Sequence, residues 1–466
     1  MVFSSMVFLW IFLPIVMAVY FIIPKKYISA KNIVLLIASL LFYAWGEPVY
    51  ILLMLLSILF NYSMGALLYK LDCKKLILVI DILGNLLVLG YYKYYDFLIA
   101  SINGIFGTEI PLKEIALPIG ISFFTFQILS YMIDLYRGEI ELQKNPINLA
   151  LYISFFPQLI AGPIVKYHDI SKALENREQS LEQVSEGIRR FIYGFAKKVL
   201  IANVLALAVD DIYALELSDI TTSFAWIAAV FYMLQIYYDF SGYSDMAIGL
   251  GKIFGFNFNE NFNYPYMSWS IKEFWRRWHI SLSSWFRDYL YIPLGGNRKG
   301  AIRTYINLVI VFFVTGLWHG AGYTFILWGL FHGLFSILER TPWGKVVEKI
   351  KPLGFIYSTF VVLMGWVLFR ADTIQMALEM YRRMFGFGQY TESTYVWQEI
   401  MYNRSIATAV AAVLGCGFVQ SILKKIGLDK KLKDSYLEIV WLVIILLLSI
   451  ASLAANSYNP FIYFRF

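Results

Sequence analysis

The sequence contains little charge. Only 15% of its 466 residues are Asp, Glu, Lys or Arg, whereas a soluble domain carries about 25%. Hydrophobic residues make up 59% of the chain, and its mean hydropathy is +0.62. These values exclude a single soluble globular domain. They predict an all-α, polytopic membrane protein that has the lipid bilayer as its first partner.

Cysteine and histidine are also rare. The two cysteines, Cys73 and Cys416, lie far apart, and no CxxC pair or zinc-ligand spacing is present. The sequence therefore predicts no disulfide framework and no metal site. Two of the four histidines, His319 and His332, lie in one apolar stretch, 311–333. An ionisable side chain inside an apolar run is costly, so this core histidine segment is a candidate functional site.

The net charge of +7 comes from lysine-rich turns. Lysines follow the first and third apolar runs and recur at 424–433, which places these turns in the cytoplasm by the positive-inside rule. The first run, 3–23, has no basic residue before it and no small-residue cleavage site, so we expect an uncleaved helix. Both termini, the loop 371–403 and the tail 456–466 are then extracytoplasmic. No nucleic-acid partner is predicted.

Thirteen apolar runs are candidates for membrane spans, but several are short or broken, so we expect eleven or twelve helices that cross the bilayer. Pro157, Gly162 and Pro163 interrupt the run 155–169, which predicts either a re-entrant hairpin or a kinked ordinary span. The run 239–258 is expected to be a short or broken helix near the cytoplasmic surface. The chain 1–466 is interpreted as one membrane-embedded domain.

A basic and aromatic segment, 271–303, precedes the core histidine segment. If it is helical, Trp275, His279, Leu282 and Phe286 share one face by 3.6-residue periodicity. Two interpretations remain open: a positive-inside loop with an interfacial aromatic belt, or a cytoplasmic cradle for a phosphorylated donor. Arginine presents planar donors that suit phosphate. The candidates for such contacts are Arg276, Arg277 and Arg287.

Two sequence blocks together carry a family resemblance. FWRRWHISLSSWFRDYLYIPLGGNRKG (274–300) and, forty residues after its histidine, GLWHGAGYTFILWGLFHG (316–333) resemble the membrane-bound O-acyltransferase family. The resemblance is to the bacterial branch that includes alginate O-acetylation proteins and the D-alanyl transfer protein of teichoic acid. The segments 121–140, 155–170 and 456–466 resemble the alginate-acetylation type. The resemblance covers nearly the whole chain.

The resemblance implies a ring of about eleven or twelve transmembrane helices around a thin central wall, with re-entrant and short interfacial helices. It implies an enzyme of a bacterial cytoplasmic membrane that takes an acetyl group from a cytoplasmic donor, with acetyl-CoA expected and no cofactor bound. The acetyl group would go to an extracytoplasmic polysaccharide, directly or through a partner acetyltransferase. If the donor is an acyl carrier protein, D-alanyl transfer is the alternative.

The resemblance also assigns roles to residues. Acyl transfer needs a base for the attacking hydroxyl and donors for the developing oxyanion. His319 matches the family's near-invariant histidine and is the expected general base, while His279 is expected to orient or stabilise the reacting carbonyl. His332 is expected to pack beside Gly329 and Gly333. Tyr463 either relays the acyl group on its phenol or anchors the tail among lipid headgroups.

Two readings from other classes compete with an enzyme. A transporter of polysaccharide or lipid-linked sugar would explain the broken helices and the many aromatic residues, but not the histidines in two family-like blocks. A purely structural membrane scaffold predicts that His279 and His319 can both be replaced without effect. The sequence leaves open which polysaccharide is modified.

Overall fold

The computed structural model describes residues 1–387, 403–433, 435–455 and 458–462. All regular secondary structure in those residues is helical, which confirms the all-α prediction. In chain order the helices are α1 (Phe8–Ile22), α2 (Ile28–Gly46), α3 (Tyr50–Lys70), α4 (Lys74–Phe106), α5 (Ile121–Arg137), α6 (Pro146–Ser154), α7 (Phe156–Leu159), α8 (Tyr167–Glu175), α9 (Leu181–Tyr213), α10 (Thr222–Ile253), α11 (Ile271–Arg277), α12 (Ile280–Phe286), α13 (Ala301–His319), α14 (Tyr323–Leu338), α15 (Pro342–Lys349), α16 (Lys351–Arg370), α17 (Ile374–Met384), α18 (Asn403–Lys425), α19 (Leu428–Leu432) and α20 (Tyr436–Ala455).

Eight helices in the described part of the chain are long and apolar enough to cross a membrane: α2, α3, α4, α9, α13, α16, α18 and α20. Helices α1 and α14 are apolar but shorter. Eight is fewer than the eleven or twelve spans predicted, because several apolar runs do not form full-length helices. The run at 116–136, for example, becomes helical only at Ile121, after Gly120 takes a left-handed backbone conformation (φ 79°).

The run 155–169 is interrupted and buried. Helix α6 ends at Ser154, the single turn of α7 follows, and helix α8 begins only at Tyr167. A Cβ on Gly162 would lie 2.6 Å from Gln158 Cα, so no side chain fits at this turn. The stretch is therefore a broken segment and does not form one kinked spanning helix.

The prediction of a broken helix at 239–258 is wrong. Helix α10 runs without interruption from Thr222 to Ile253 and includes Gly242. The glycine serves close packing: a Cβ there would lie 2.8 Å from the carbonyl oxygen of Gly194 on helix α9. What the sequence pattern indicated as a breaker is a point of helix contact.

The chain divides into two compact units. Unit one comprises Met1–Phe191 and Ser244–Asn259, and unit two comprises Ile192–Tyr243 and Glu260–Phe466. The histidines of both family-like blocks belong to unit two. The interpretation of the whole chain as a single domain stays a prediction.

Glycines bring helices α13 and α14 of unit two into close contact. A Cβ on Gly316 would lie 2.4 Å from the Phe325 carbonyl oxygen, and one on Gly329 would lie 2.2 Å from the Phe312 carbonyl oxygen. Any side chain at these positions would push the two helices apart. This packing holds the end of α13, where His319 lies, against α14.

Two predicted extracytoplasmic segments are described in part. The segment 371–403 was expected to be a loop, but Ile374–Met384 forms helix α17, which begins with the Thr373 side chain accepting a hydrogen bond from Met376 N. Residues 388–402 lie outside the described part. Of the tail 456–466, residues 458–462 are described, and Tyr463 lies outside the described residues.

Candidate active site

The basic and aromatic segment does not form one helix. Helix α11 ends at Arg277, and His279 adopts a left-handed backbone conformation (φ 42°, ψ 56°) before α12 begins at Ile280. The predicted common face of Trp275, His279 and its partners therefore does not form. His279 is completely buried, so its side chain is not exposed to lipid headgroups.

One hydroxyl group and one carboxylate group fix the start of helix α11. Ser270 Oγ accepts a hydrogen bond from Glu273 N (3.1 Å). The Glu339 carboxylate accepts from the backbone N–H groups of Ile271 (2.5 Å) and Lys272 (2.9 Å). A hydroxyl cap and a carboxylate at a helix N-terminus satisfy amides that lack partners inside the helix. These contacts hold the short helix that leads to His279.

Asn261 determines the tautomer of His279. Its side-chain oxygen Oδ1 lies 3.2 Å from the backbone nitrogen of Ser281 and 2.9 Å from Ser281 Oγ. Because a backbone N–H can only donate, the Asn261 atom in contact must be the oxygen, which can only accept. His279 Nδ1 lies 3.1 Å from the same oxygen, so Nδ1 carries the proton. In the neutral ring, Nε2 therefore presents a lone pair.

The surroundings keep His279 neutral. Burial lowers its pKa to about 3, since an apolar site disfavours the charged form. The ring of Phe240 packs edge-on against it with 4.6 Å between ring centroids. Within the described residues, His279 Nε2 is buried and has no hydrogen-bond partner. The site thus holds an acceptor atom without a partner in a largely aromatic environment.

His319 ends helix α13 in an aromatic cage. It is 6% exposed, and its ring centroid lies 5.0 Å from that of Trp328 and 5.3 Å from that of Phe369. The Trp318 ring lies 4.9 Å from His319 and 6.0 Å from His279. The structure therefore brings together, around one tryptophan, the two histidines that the sequence singled out.

His332 also packs against Trp328. It is completely buried, and its ring lies 5.2 Å from the rings of Trp275 and Trp328. Gly365 makes room for it, because a Cβ there would lie 2.8 Å from His332 Nε2. These contacts support the interpretation of His332 as a packing residue.

The three candidate arginines differ in their surroundings. Arg277 pairs with Glu273 (2.5 Å), and Arg287 pairs with Asp288 (2.7 Å), so each has a carboxylate beside it. Arg276 is exposed and forms no ion pair within the described part of the chain. It is the arginine with most of its charge available for a ligand. The roles of all three stay predictions.

Sequence reasoning missed Asn261 and Phe240. Neither lies in the two family-like blocks, and both reach His279 only through the fold, from residues eighteen or more positions away. An asparagine among other polar residues gives no signal by itself. The described residues contain no group of His, Cys, Asp or Glu side chains placed to hold a metal ion.

Comparisons with known proteins agree with the family resemblance of the two sequence blocks. The profile of the membrane-bound O-acyltransferase family (MBOAT) matches residues 120–371. A protein named probable alginate O-acetylase AlgI from Pseudomonas putida is 41% identical over the full length of both chains. The peptidoglycan O-acetyltransferase of Helicobacter pylori is 36% identical over 83% of this chain and 80% of its own. The teichoic acid D-alanyltransferase of Bacillus subtilis is 28% identical over 53% of this chain and 68% of its own.

Proposed function

Because the chain belongs to the membrane-bound O-acyltransferase family, we propose that it transfers acetyl groups from cytoplasmic acetyl-CoA to hydroxyls of an extracytoplasmic polysaccharide. The chain is a multi-pass membrane O-acyltransferase. Full-length similarity to proteins named for alginate acetylation favours an acetyl donor and a polysaccharide acceptor. Similarity to D-alanyltransferases covers only about half of the chain, so D-alanyl transfer is the second candidate.

The proposal depends most on the placement of His279 and His319 around Trp318. In the proposed reaction, His319 accepts the proton of the attacking hydroxyl, whose oxygen forms a bond to the thioester carbonyl carbon. The carbon–sulfur bond then breaks, and the departing CoA thiolate takes the proton from His319. His319 is the last residue of helix α13, where the negative end of the helix dipole stabilises a positively charged imidazole.

His279 has a narrower role than the sequence suggested. Its Nδ1 proton is committed to Asn261, so neutral Nε2 has no proton to donate to an oxyanion. Nε2 can instead accept a hydrogen bond, and we assign it to orienting the acceptor through a hydroxyl other than the attacking one, because the single proton of the attacking hydroxyl goes to His319. Alignment of reacting groups of this kind contributes strongly to catalysis.

The donor is proposed to bind on the cytoplasmic side. Coenzyme A carries phosphate groups, which guanidinium groups bind through paired hydrogen bonds. Arg276 is the strongest candidate because it is exposed and has no carboxylate partner within the described residues, while Arg277 and Arg287 are weaker candidates. An acyl carrier protein would meet the same positive charge.

The orientation and location are part of the proposal, supported by the lysine-rich turns and by the bacterial relatives. These observations support a bacterial cytoplasmic membrane protein with both termini outside. A partner acetyltransferase on that side could receive the acetyl group before the polysaccharide does. Similarity to proteins named for alginate and peptidoglycan acetylation leaves the polysaccharide itself open.

A relay through Tyr463 is a further step of the proposal. In this step the Tyr463 phenol oxygen attacks the thioester carbonyl carbon, the carbon–sulfur bond breaks, and the phenol proton passes through His319 to the CoA thiolate. An acceptor hydroxyl then attacks the phenol ester, the bond between its carbonyl carbon and the phenol oxygen breaks, and the hydroxyl proton passes through His319 to the released phenolate. Its support is the position of the preceding residue. Ile462 N donates a hydrogen bond to Asp239 (2.9 Å), and the next residue on that helix, Phe240, contacts His279.

Purified protein in proteoliposomes tests the proposal. Acetyl-CoA labelled in its acetyl group is supplied on one face, and a soluble oligosaccharide is supplied on the other. We expect labelled ester on the oligosaccharide and equimolar release of CoA. Transfer from a D-alanyl carrier protein alone would favour the second candidate. Oligosaccharide flux without thioester cleavage would favour a transporter and overturn the proposal.

A further inference from the structure

The described end of the chain, residues 458–462, is anchored inside unit two; we call these residues the tail segment. Two of its residues, Phe461 and Ile462, are 7% and 6% exposed. Tyr458 donates a hydrogen bond to Asp210, and Asn459 Oδ1 accepts one from Asn203 (3.1 Å). A terminal segment is poorly ordered unless it is tied down, so these contacts indicate a docked position.

A buried ion pair forms the centre of the docking site. Lys198 Nζ lies 2.6 Å from Asp239 Oδ1, and the two side chains are 3% and 1% exposed. The pair joins helices α9 and α10 where Gly194 and Gly242 bring the two backbones close together. Because the helices already approach through these glycines, the ion pair is not needed to bring them together.

Both members of the pair also bind the backbone of the tail segment. Lys198 Nζ donates to the carbonyl oxygen of Pro460, and the second carboxylate oxygen of Asp239 accepts from Ile462 N (2.9 Å). The ring of Phe461, between those two residues, packs against Tyr243 with 4.7 Å between centroids. The cation Lys198 therefore donates to a backbone carbonyl of the tail segment, and the anion Asp239 accepts from a backbone N–H of the same segment.

A buried ion pair alone adds little to stability, because desolvation offsets the attraction of the charges. Its two contacts with the tail backbone give it a different use. We propose that Lys198 and Asp239 form a tail clamp, a pair of positioning residues that fixes the tail segment for acyl transfer. The clamp rests on the proposed function, since its effect on turnover requires the relay through Tyr463 proposed above.

The location of the clamp links it to the reaction site. Asp239 precedes Phe240 in helix α10, and the Phe240 ring contacts His279. The tail segment is thus held one residue along the helix from a contact of the proposed reaction centre. Loss of the clamp should lower kcat and leave KM for acetyl-CoA unchanged, because the proposed donor contacts are at Arg276 and not in the tail segment.

Cysteine labelling tests the docking without relying on activity. The protein carries Ile462→Cys in a Cys73→Ser background, since Cys73 is exposed and Cys416 is buried. We expect a maleimide to label position 462 slowly in this protein and at least about tenfold faster after Asp239→Asn. The substitution leaves the buried charge of Lys198 without its partner, which strongly destabilises the docked position of the tail segment. Asp245→Asn is the matched control: Asp245 also lies on α10 and pairs with Arg190 of α9 (2.8 Å). Labelling that stays slow in Asp239→Asn would overturn the clamp.

A charge exchange separates a clamp from an ordinary ion pair. The double variant Lys198→Asp/Asp239→Lys can restore the pair, but it places a carboxylate against the Pro460 carbonyl and an ammonium against the Ile462 amide. We expect labelling of position 462 to remain fast and kcat to remain at least about tenfold below that of the parent protein. Recovery of slow labelling and of kcat in the double variant would show that the pair only joins two helices.

The clamp and the proposed function can fail separately. His319→Ala should abolish acetyl transfer while labelling of position 462 stays slow. If Asp239→Asn speeds labelling but acetyl transfer keeps its full kcat, the tail segment is docked by the pair but has no part in the reaction, and the positioning role is wrong. If no variant of the chain transfers acetyl groups, the proposed function fails whatever the labelling rate.

Discussion

The substitution His279→Asn tests the assignment of the working atom of His279. Asparagine tolerates the left-handed backbone at this position better than most residues. Its side-chain amide can donate to Asn261 Oδ1 in place of Nδ1, at the 3.1 Å contact seen here. It has no atom in the place of Nε2. The variant therefore keeps the fold and the contact with Asn261 but removes the lone pair that we assign to orienting the acceptor.

The structure sets the expected magnitudes. Because the hydrogen bond to Asn261 is kept, we expect its contribution to the free energy of unfolding to change by less than about 1 kcal/mol in His279→Asn. The loss of ring packing against Phe240 adds to this change. The kcat should fall by about 10²-fold, the loss that misplacement of a reacting group by about 1 Å can cause. By contrast, Asn261→Ala removes the acceptor of three buried donors, the Nδ1–H of His279 and the N–H and O–H groups of Ser281. It should destabilise the fold by about 3–9 kcal/mol, at about 1–3 kcal/mol for each donor.

The assay combines acetyl release from labelled acetyl-CoA with thermal unfolding of the purified protein in detergent. His279→Asn should give a near-normal melting curve and very low turnover, while Asn261→Ala should unfold at a lower temperature. Turnover within threefold of the parent protein in a folded His279→Asn variant would refute the role of Nε2.

Three further predictions address neighbouring features. Asn261→Asp places a carboxylate beside Nδ1, which raises the pKa of His279 above its lowered value of about 3. Because the protonated ring has no lone pair on Nε2, kcat should fall more steeply from pH 8 to pH 6 than in the parent protein. Identical pH profiles of the two proteins would contradict this prediction. Gly329→Ala forces a Cβ to within 2.2 Å of a facing carbonyl oxygen and should lower stability by at least about 1–3 kcal/mol, whereas Gly90→Ala, with nothing within 4 Å, should not; equal melting curves would exclude the close helix contact. Arg276→Gln should raise KM for acetyl-CoA with kcat unchanged, and an unchanged KM would remove this arginine from the donor site.

The helical fold could be predicted from composition and apolar runs, but helix continuity could not. At 239–258 the glycines suggested a break, and the structure shows that Gly242 permits close contact with Gly194 within an unbroken helix. At 271–303 the periodicity predicts one helical face. The structure instead interrupts the helix at His279, which adopts a left-handed backbone conformation. The residue type alone does not distinguish a helix break from a close helix contact, because tertiary contacts determine which of the two forms.

The candidate site was predictable only in part. His279 and His319 stood out because ionisable residues are rare in an apolar chain and because their blocks resemble a known family. Their shared contact with Trp318 agrees with that choice, while their catalytic roles stay predictions. Asn261 could not be found, because its importance lies in a hydrogen bond that the fold creates across eighteen residues. The direction of that bond then changed the role assigned to His279.

The central claim is that His319 is the general base of acetyl transfer. The most direct measurement is single-turnover release of CoA from labelled acetyl-CoA by purified His319→Ala protein in proteoliposomes with an acceptor oligosaccharide, beside the parent protein and His332→Ala. We expect His319→Ala to bind acetyl-CoA normally and to slow transfer by at least about 10²-fold, with a much smaller effect on the rate in folded His332→Ala. Transfer at the parent rate by folded His319→Ala protein would contradict the account.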